Sequence, residues 1–204
     1  GEYRVVACEQ AFWAEDDDWG DVAEAVARIQ DEVDLSDAVC IAAIPDDWVS
    51  HRAIRMPFAD RKKINKIIAY EIEPLLPFPV DDLIVDFQPM AGAGLTDKGT
   101  DFFTAVVSKA RLRDYIEKLN AFGLEPEVIT VRGFAVGCAL SAFREAGLFV
   151  DGDERHLVAG GFAEGKVRSI YSLPIGHQDK NPGPALVERL KYVLVTDEER
   201  HQDA

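Results

Sequence analysis

The order in which hydrophobic periodicity changes along residues 48–131 limits what this chain can fold into. Trp48–Met56 has the β-branched and apolar content of a strand. Asp60 is placed as a helix N-cap, and Ile64, Ile67, Ile68, Ile72 and Leu75 follow at helical spacing until Pro74 and Pro77 stop the helix. Leu83–Gln88 alternates as a strand, and Ala91 through Gly99 is a small-residue connection leading to a next strand at Phe102–Val107. Ser108 caps a second helix with the stripe Leu112, Tyr115, Ile116, Leu119 and Phe122, and Gly123 supplies its C′ position. Val128–Val131 is a short closing strand. The order β-α-β-β-α-β is the split βαβ pattern, which predicts two helices on one face of a small sheet.

The flanks are also mixed α/β. Tyr3–Gln10 reads as a strand. Asp18 caps a helix with Val22, Ala25, Val26, Ile29 and Val33 on one side, and Val39–Ile44 reads as a buried strand ended by Pro45. After residue 131, a helix is expected over Arg132–Ala146, where Gly133 and Gly137 weaken it or admit close packing. His156–Gly161 and Lys166–Leu173 are expected to form a hairpin around Glu164-Gly165, and Pro184–Val195 a last helix, with Leu186, Leu190 and Val193 inward. The tail from Thr196 is polar, and no internal repeat is visible.

Charge narrows the partners. The 204 residues carry a net charge of −15, which argues against nucleic acid. Yet residues 51–66 hold Arg52, Arg55, Arg61, Lys62, Lys63 and Lys66 against Asp60 alone. Such an island suits an acidic partner or lipid head groups, or is simply a solvated helix face. The helix over 60–76 is also charged against its own dipole, with Arg61, Lys62 and Lys63 at its start and Glu71 and Glu73 at its end. Each such placement costs about 0.3–1 kcal/mol at most, so either packing tolerates it or the charges serve contacts outside the helix. The acidic tract Glu15–Asp18 suits a loop and helix start. Cys8, Cys40 and Cys138 are far apart in apolar surroundings and read as reduced core thiols. No apolar run approaches the ~18 residues of a membrane span. No secretory leader opens the chain, which begins at Gly1 like a trimmed piece.

Motifs for chemistry are scarce. His51, His156, His177 and His201 are scattered, with no HExxH and no His/Cys cluster for zinc. There is no GxSxG, no Cys/His constellation and no Walker-type loop. Asp151-Gly152-Asp153 begins like a calcium loop but lacks the later ligands. No metal and no cofactor is expected.

One stretch is distinctive. Arg52-Ala53-Ile54-Arg55-Met56-Pro57-Phe58 is followed by a helix and then by Tyr70-Glu71-Ile72-Glu73-Pro74-Leu75-Leu76-Pro77-Phe78-Pro79-Val80-Asp81-Asp82. It resembles the cytoplasmic domain of the type II secretion L protein and its relative, the type IV pilus assembly M protein. Ala105–Lys109, Leu119–Pro126 and Val128–Arg132 look like the same families' later strand-helix-strand. The resemblance covers about residues 40–145. It implies an actin-like (RNase H-like) fold, with the β-α-β-β-α-β block inserted as in the bacterial division protein FtsA. On that basis residues 1–47 are a first actin-like part, 48–131 the insert, 132–195 a second part and 196–204 a tail.

Under the resemblance, Pro57, Phe58, Pro77, Phe78 and Pro79 form a structural signature, in which the prolines fix the turn and Phe78 plugs the gap between helix and sheet. Glu71 and Glu73 face different sides of the helix, where at least one reaches a basic neighbour. An actin-like ATPase needs an Asp-x-Gly in each phosphate hairpin. The resemblance implies that the chain starts after the first, and at the second, Leu157–Phe162, Ala159 stands where the acid would be. The resemblance therefore implies a non-catalytic adaptor that ties the secretion or pilus assembly ATPase to inner-membrane platform proteins of the M or N type. Its membrane helix would lie beyond Ala204. Candidate docking residues are Arg52, Arg55, Lys62, Lys63, Lys66, Glu71 and Glu73, or an exposed sheet edge accepting a peptide strand. A homodimer is left open. The alternative is a nucleotide-binding actin-like pilus assembly protein of the M type, and a third reading is a free-standing split βαβ domain.

Overall fold

A computed structural model describes residues 4–11, 19–90, 99–152 and 156–175, with Val187, Glu188, Leu190 and Lys191. Four α-helices and eight strands follow one another among these residues. They are α1 (Gly20–Glu32), β1 (Cys40–Ile44), β2 (Ser50–Met56), α2 (Arg61–Ile72), β3 (Leu83–Pro89), β4 (Thr100–Ser108), α3 (Lys109–Ala121), β5 (Pro126–Val131), α4 (Arg132–Ser141), β6 (Ala146–Gly152), β7 (His156–Ala163) and β8 (Lys166–Pro174). The chain divides into two compact units, residues 1–42 with 113–129, and 43–112 with 130–204.

The second unit holds two antiparallel three-stranded sheets, ordered β2-β4-β3 and β6-β7-β8. The element order over residues 48–131 is the expected one, but the strand pairing is not. β5 leaves the β2-β4-β3 sheet and pairs with β1. Strand β4 is apolar on both faces because both are covered. Phe102 enters a core of Met56, Ile64, Ile68, Ile72, Leu83, Phe87 and Val106. Its neighbour Phe103 points the other way, into a core of Phe149, Val158, Phe162, Val167 and Ile170.

Helix α4 stops at Ser141, short of the expected Ala146, and residues 146–152 form β6. Phe149 there is buried while Leu148 and Val150 are exposed, a period-two pattern too short to stand out. Gly137 lies where an added Cβ would fall 2.8 Å from Val167 Cγ2, so close packing is the reason for glycine in this helix. The expected β7–β8 hairpin forms, and Glu164 (φ 53°) and Gly165 (φ 72°) make its turn.

Residues 4–11 carry no regular structure, contrary to the strand expected there. Helix α1 is flanked by Trp19 without a side-chain cap, and Asp18 lies outside the described residues, as do Glu15–Asp17, Ala91–Gly94 and Asp153. β1 is not buried on both faces, since Ile41 is exposed while Ala42 and Ile44 are buried. Cys8 and Cys138 are exposed and Cys40 half-buried, so none is the core thiol expected. Of the expected last helix, only Val187, Glu188, Leu190 and Lys191 are described, all helical, and the rest lies outside.

Candidate functional site

The cations of residues 51–66 sort themselves by partner. Arg55 stands directly across the ladder from Asp101 and grips it with Nε and Nη2, at 2.7 and 2.6 Å. The Asp101 hydrogen bonds first, and its charge second, push the Arg55 pKa up. Arg61 Nη2 lies 3.8 Å from Asp86 Oδ1, and its guanidinium sits 5.4 Å from the Phe87 ring centroid. Arg52 Nη1 donates to the His51 carbonyl at 2.7 Å. Lys62, Lys63 and Lys66 are exposed and meet no carboxylate among the described residues.

Local sequence places these lysines. Asp60 caps α2 as expected, its side chain accepting from the Lys63 N–H at 3.1 Å. Ile64, Ile68 and Ile72 are fully buried against the β2-β4-β3 sheet, which turns Lys62, Lys63 and Lys66 outward. Tyr70, one turn beyond Lys66, is 68% exposed. Sequence reasoning passed over Tyr70. Its spacing of four from Lys66 and eight from Lys62 was the available signal.

The proline turn after α2 is held by short-range bonds. Glu73 Oε1 accepts from the Val80 N–H at 3.4 Å, and the Leu76 and Asp82 amides donate to Glu73 and Pro79 carbonyls at 3.1 Å each. Lys109 Nζ donates to the Asp81 carbonyl at 2.6 Å. Phe78 does not plug the gap between helix and sheet, being 63% exposed, and Leu75, expected in the buried stripe, is also exposed. Phe58 and Leu76 pack against the core there instead. Pro77 and Pro79 flank Phe78 at the surface. Pro57 lies beside Gly99, whose added Cβ would fall 3.3 Å from Pro57 Cα. Neither Glu71 nor Glu73 meets a cation among the described residues, contrary to the basic neighbour expected for one of them.

A second cluster was not foreseen. Asp46 is 1% exposed, and its two carboxylate oxygens accept from the Gly133 N–H at the start of α4. Arg132 Nε stands 3.6 Å from Asp46 Oδ2 and 3.2 Å from Asp151 Oδ2. Burial pushes the Asp46 pKa up, while the Gly133 amide and the Arg132 charge oppose it. The arrangement satisfies a buried charge and anchors one end of α4. Nothing in the local sequence of Asp46-Asp47 separates a buried carboxylate from an exposed one.

Strand β7 carries the segment where a phosphate hairpin's acid is implied. Ala159 is buried between Val150 and Tyr171 on the neighbouring strands. An added Cβ on Gly160 would fall 2.6 Å from Phe149 and from the Ser169 carbonyl, and the Gly161 N–H is taken by Ser169 Oγ at 3.1 Å. This packed segment has no carboxylate to hold a metal-bound nucleotide, so its residues do not fit that group. Among the described residues no group of three or more His, Cys, Asp or Glu is placed to hold a metal ion. No helix there is long and apolar enough to cross a membrane.

The mixed α/β fold is one that the chain shares with solved structures of pilus and secretion components. Residues 9–159 match the family model described as type IV pilus assembly protein PilM, and the chain belongs to that family. No curated protein matches it. Among solved structures it is similar to the PilM-PilN type IV pilus biogenesis complex, with TM-score 0.61 and 20% identity over 88% of this chain and 56% of that one. It is also similar to the cytoplasmic domain of EpsL, an inner membrane component of the type II secretion system of Vibrio cholerae. That match has TM-score 0.54 and 12% identity over 75% of this chain and 57% of that one. The chain thus spans little more than half the length of either structure.

Proposed function

We propose that the protein is a non-catalytic adaptor at the cytoplasmic face of the inner membrane, tying the assembly ATPase of a type IV pilus or type II secretion machine to platform proteins. The observation that carries this reading is the division of the basic island. Arg55 and Arg61 are engaged within the chain, while Lys62, Lys63 and Lys66 stand exposed and, among the described residues, without carboxylate partners on a protein of net charge −15. Such a patch attracts an acidic surface and orients its approach. The docking residues are then Lys62, Lys63 and Lys66, with Arg52 beside them in the sequence and Arg55 a structural member. Glu71 and Glu73 supply the opposite sign at the far end of α2. A bitopic N-type partner is supported by the likeness to the PilM-PilN complex. The non-catalytic character is supported by Ala159 in the position of the implied acid.

Co-purification with the assembly ATPase of the same genome tests the reading. Complex formation that weakens on reversal of Lys62 and Lys63 supports it. Absence of a complex sinks the adaptor role, and unchanged affinity after reversal removes the island as the dock.

A further inference from the structure

The proline turn after α2 presents apolar side chains to water from a backbone that is held still. Pro74, Leu75, Pro77, Phe78 and Pro79 are all exposed, Leu75 by 52% and Phe78 by 63%, while Leu76 between them packs against the core. Single exposed apolar residues are ordinary on a protein surface, but a contiguous run of them marks a place where something docks. The run is pinned on both sides. Its three prolines fix φ. The Glu73 carboxylate accepts from the Val80 N–H at 3.4 Å, the Leu76 and Asp82 amides donate to the Glu73 and Pro79 carbonyls, and the Lys109 ammonium donates to the Asp81 carbonyl at 2.6 Å. A ring presented from such a turn loses little conformational freedom when a partner covers it.

The surroundings carry one sign. Residues 67–90 hold Glu71, Glu73, Asp81, Asp82 and Asp86 and no lysine or arginine. Asp86 faces Arg61, and Glu73 is occupied with the Val80 amide. Glu71, Asp81 and Asp82 are exposed and form no ion pair among the described residues.

We propose that this turn docks a cationic amphipathic segment of a partner protein. The partner's apolar face covers Leu75 and Phe78, and its lysines or arginines meet Glu71, Asp81 and Asp82. Charge complementarity selects this occupant. An anionic lipid surface is repelled by the three carboxylates and by the chain's net charge of −15. A second copy related by a two-fold axis sets the same acids against one another. The surface is opposite in sign to the patch of Lys62, Lys63 and Lys66, so it takes a different partner. The inference does not rest on the adaptor reading. Failure of ATPase binding at the lysines leaves the acidic turn as it is, and failure of the turn to bind leaves the lysines as they are.

A peptide titration of the full chain, read by fluorescence anisotropy, tests it. The probe is a peptide of about 18 residues, long enough to be helical when docked, with a leucine face edged by lysines. Its twin carries glutamate in place of every lysine. Saturable binding of the lysine peptide is expected, roughly tenfold or more tighter than that of the twin. Phe78→Ala keeps the charge and the melting temperature, and is expected to weaken binding roughly tenfold or more, whereas Phe78→Trp retains it. Asp81→Asn together with Asp82→Asn weakens binding and flattens its fall with rising salt. A general attraction of lysine to an acidic chain survives Phe78→Ala, so affinity unchanged in that variant overturns the inference. Equal binding of the two peptides overturns it as well. A chain that ignores the lysine peptide but self-associates, or pellets with anionic vesicles, through Phe78 overturns it in favour of a second copy or of lipid.

Discussion

The Gly133 amide donates to both oxygens of the buried Asp46 carboxylate, at 3.1 and 3.0 Å, 87 residues away in sequence. An added Cβ on Gly133 would fall 2.6 Å from Asp46 Oδ1 and 3.0 Å from Val158 Cγ1. Gly133→Ala therefore displaces the carboxylate and is expected to cost about 1–3 kcal/mol in denaturant unfolding. Asp46→Ala strands the Arg132 side of the cluster and is expected to cost about 2–4 kcal/mol. Stability unchanged by both would mean that the link does not hold α4.

Helix α2 gives a paired test of what is buried and what is offered. Ile64→Ala and Ile68→Ala empty a closed core and should each cost about 2–5 kcal/mol. Phe78→Ala removes a ring that is already mostly in water, and should stay within about 0.5 kcal/mol. A large loss at Phe78 would restore it as a plug.

His51 sets a pH dependence with a defined sign. Its ring stacks on Phe103 at 5.2 Å between centroids and lies 6.0 Å from Phe134. Burial first, with the Arg52 charge in support, lowers its pKa from 6.5 to about 4. Below pH 6.5 the unfolded chain takes a proton that the folded chain refuses. Stability is therefore full above pH 6.5 and falls toward pH 4, by up to about 3 kcal/mol. Asp46, whose pKa is raised, works in the opposite direction at the acid end. His51→Phe should flatten the slope between pH 6.5 and 4 in a melting series. A slope unchanged in that variant would contradict the assignment.

The island's division predicts unequal effects on binding. Arg55→Ala breaks an internal fork and leaves docking to an acidic partner unchanged, whereas Lys62→Glu with Lys63→Glu weakens it. Equal effects in a titration against the assembly ATPase would mean that Arg55 is not held by Asp101.

Much of the fold was legible because periodicity is local. The isoleucine stripe of α2, the Asp60 cap and the β7–β8 turn each follow from residues within a few positions. The pairing of β5 with β1 was not legible, since an apolar run names no partner strand. The exposure of Phe78 was misjudged because its proline neighbours fix the backbone without fixing which side chain, Leu76 or Phe78, enters the core. For the site, the basic island was plain in composition. Its split into engaged arginines and lysines that meet no carboxylate among the described residues was not, because Asp101 and Asp86 reach it only through the β2-β4-β3 sheet.

The central claim is that this protein acts by being held rather than by turning over a nucleotide. A binding titration of the full-length protein against its own assembly ATPase tests it most directly. The account predicts a complex that needs no nucleotide on this protein and loses about tenfold or more in affinity when Lys62 and Lys63 are both reversed, with melting unchanged. No complex under any condition, or one that forms only once this protein is loaded with magnesium-ATP, would contradict it.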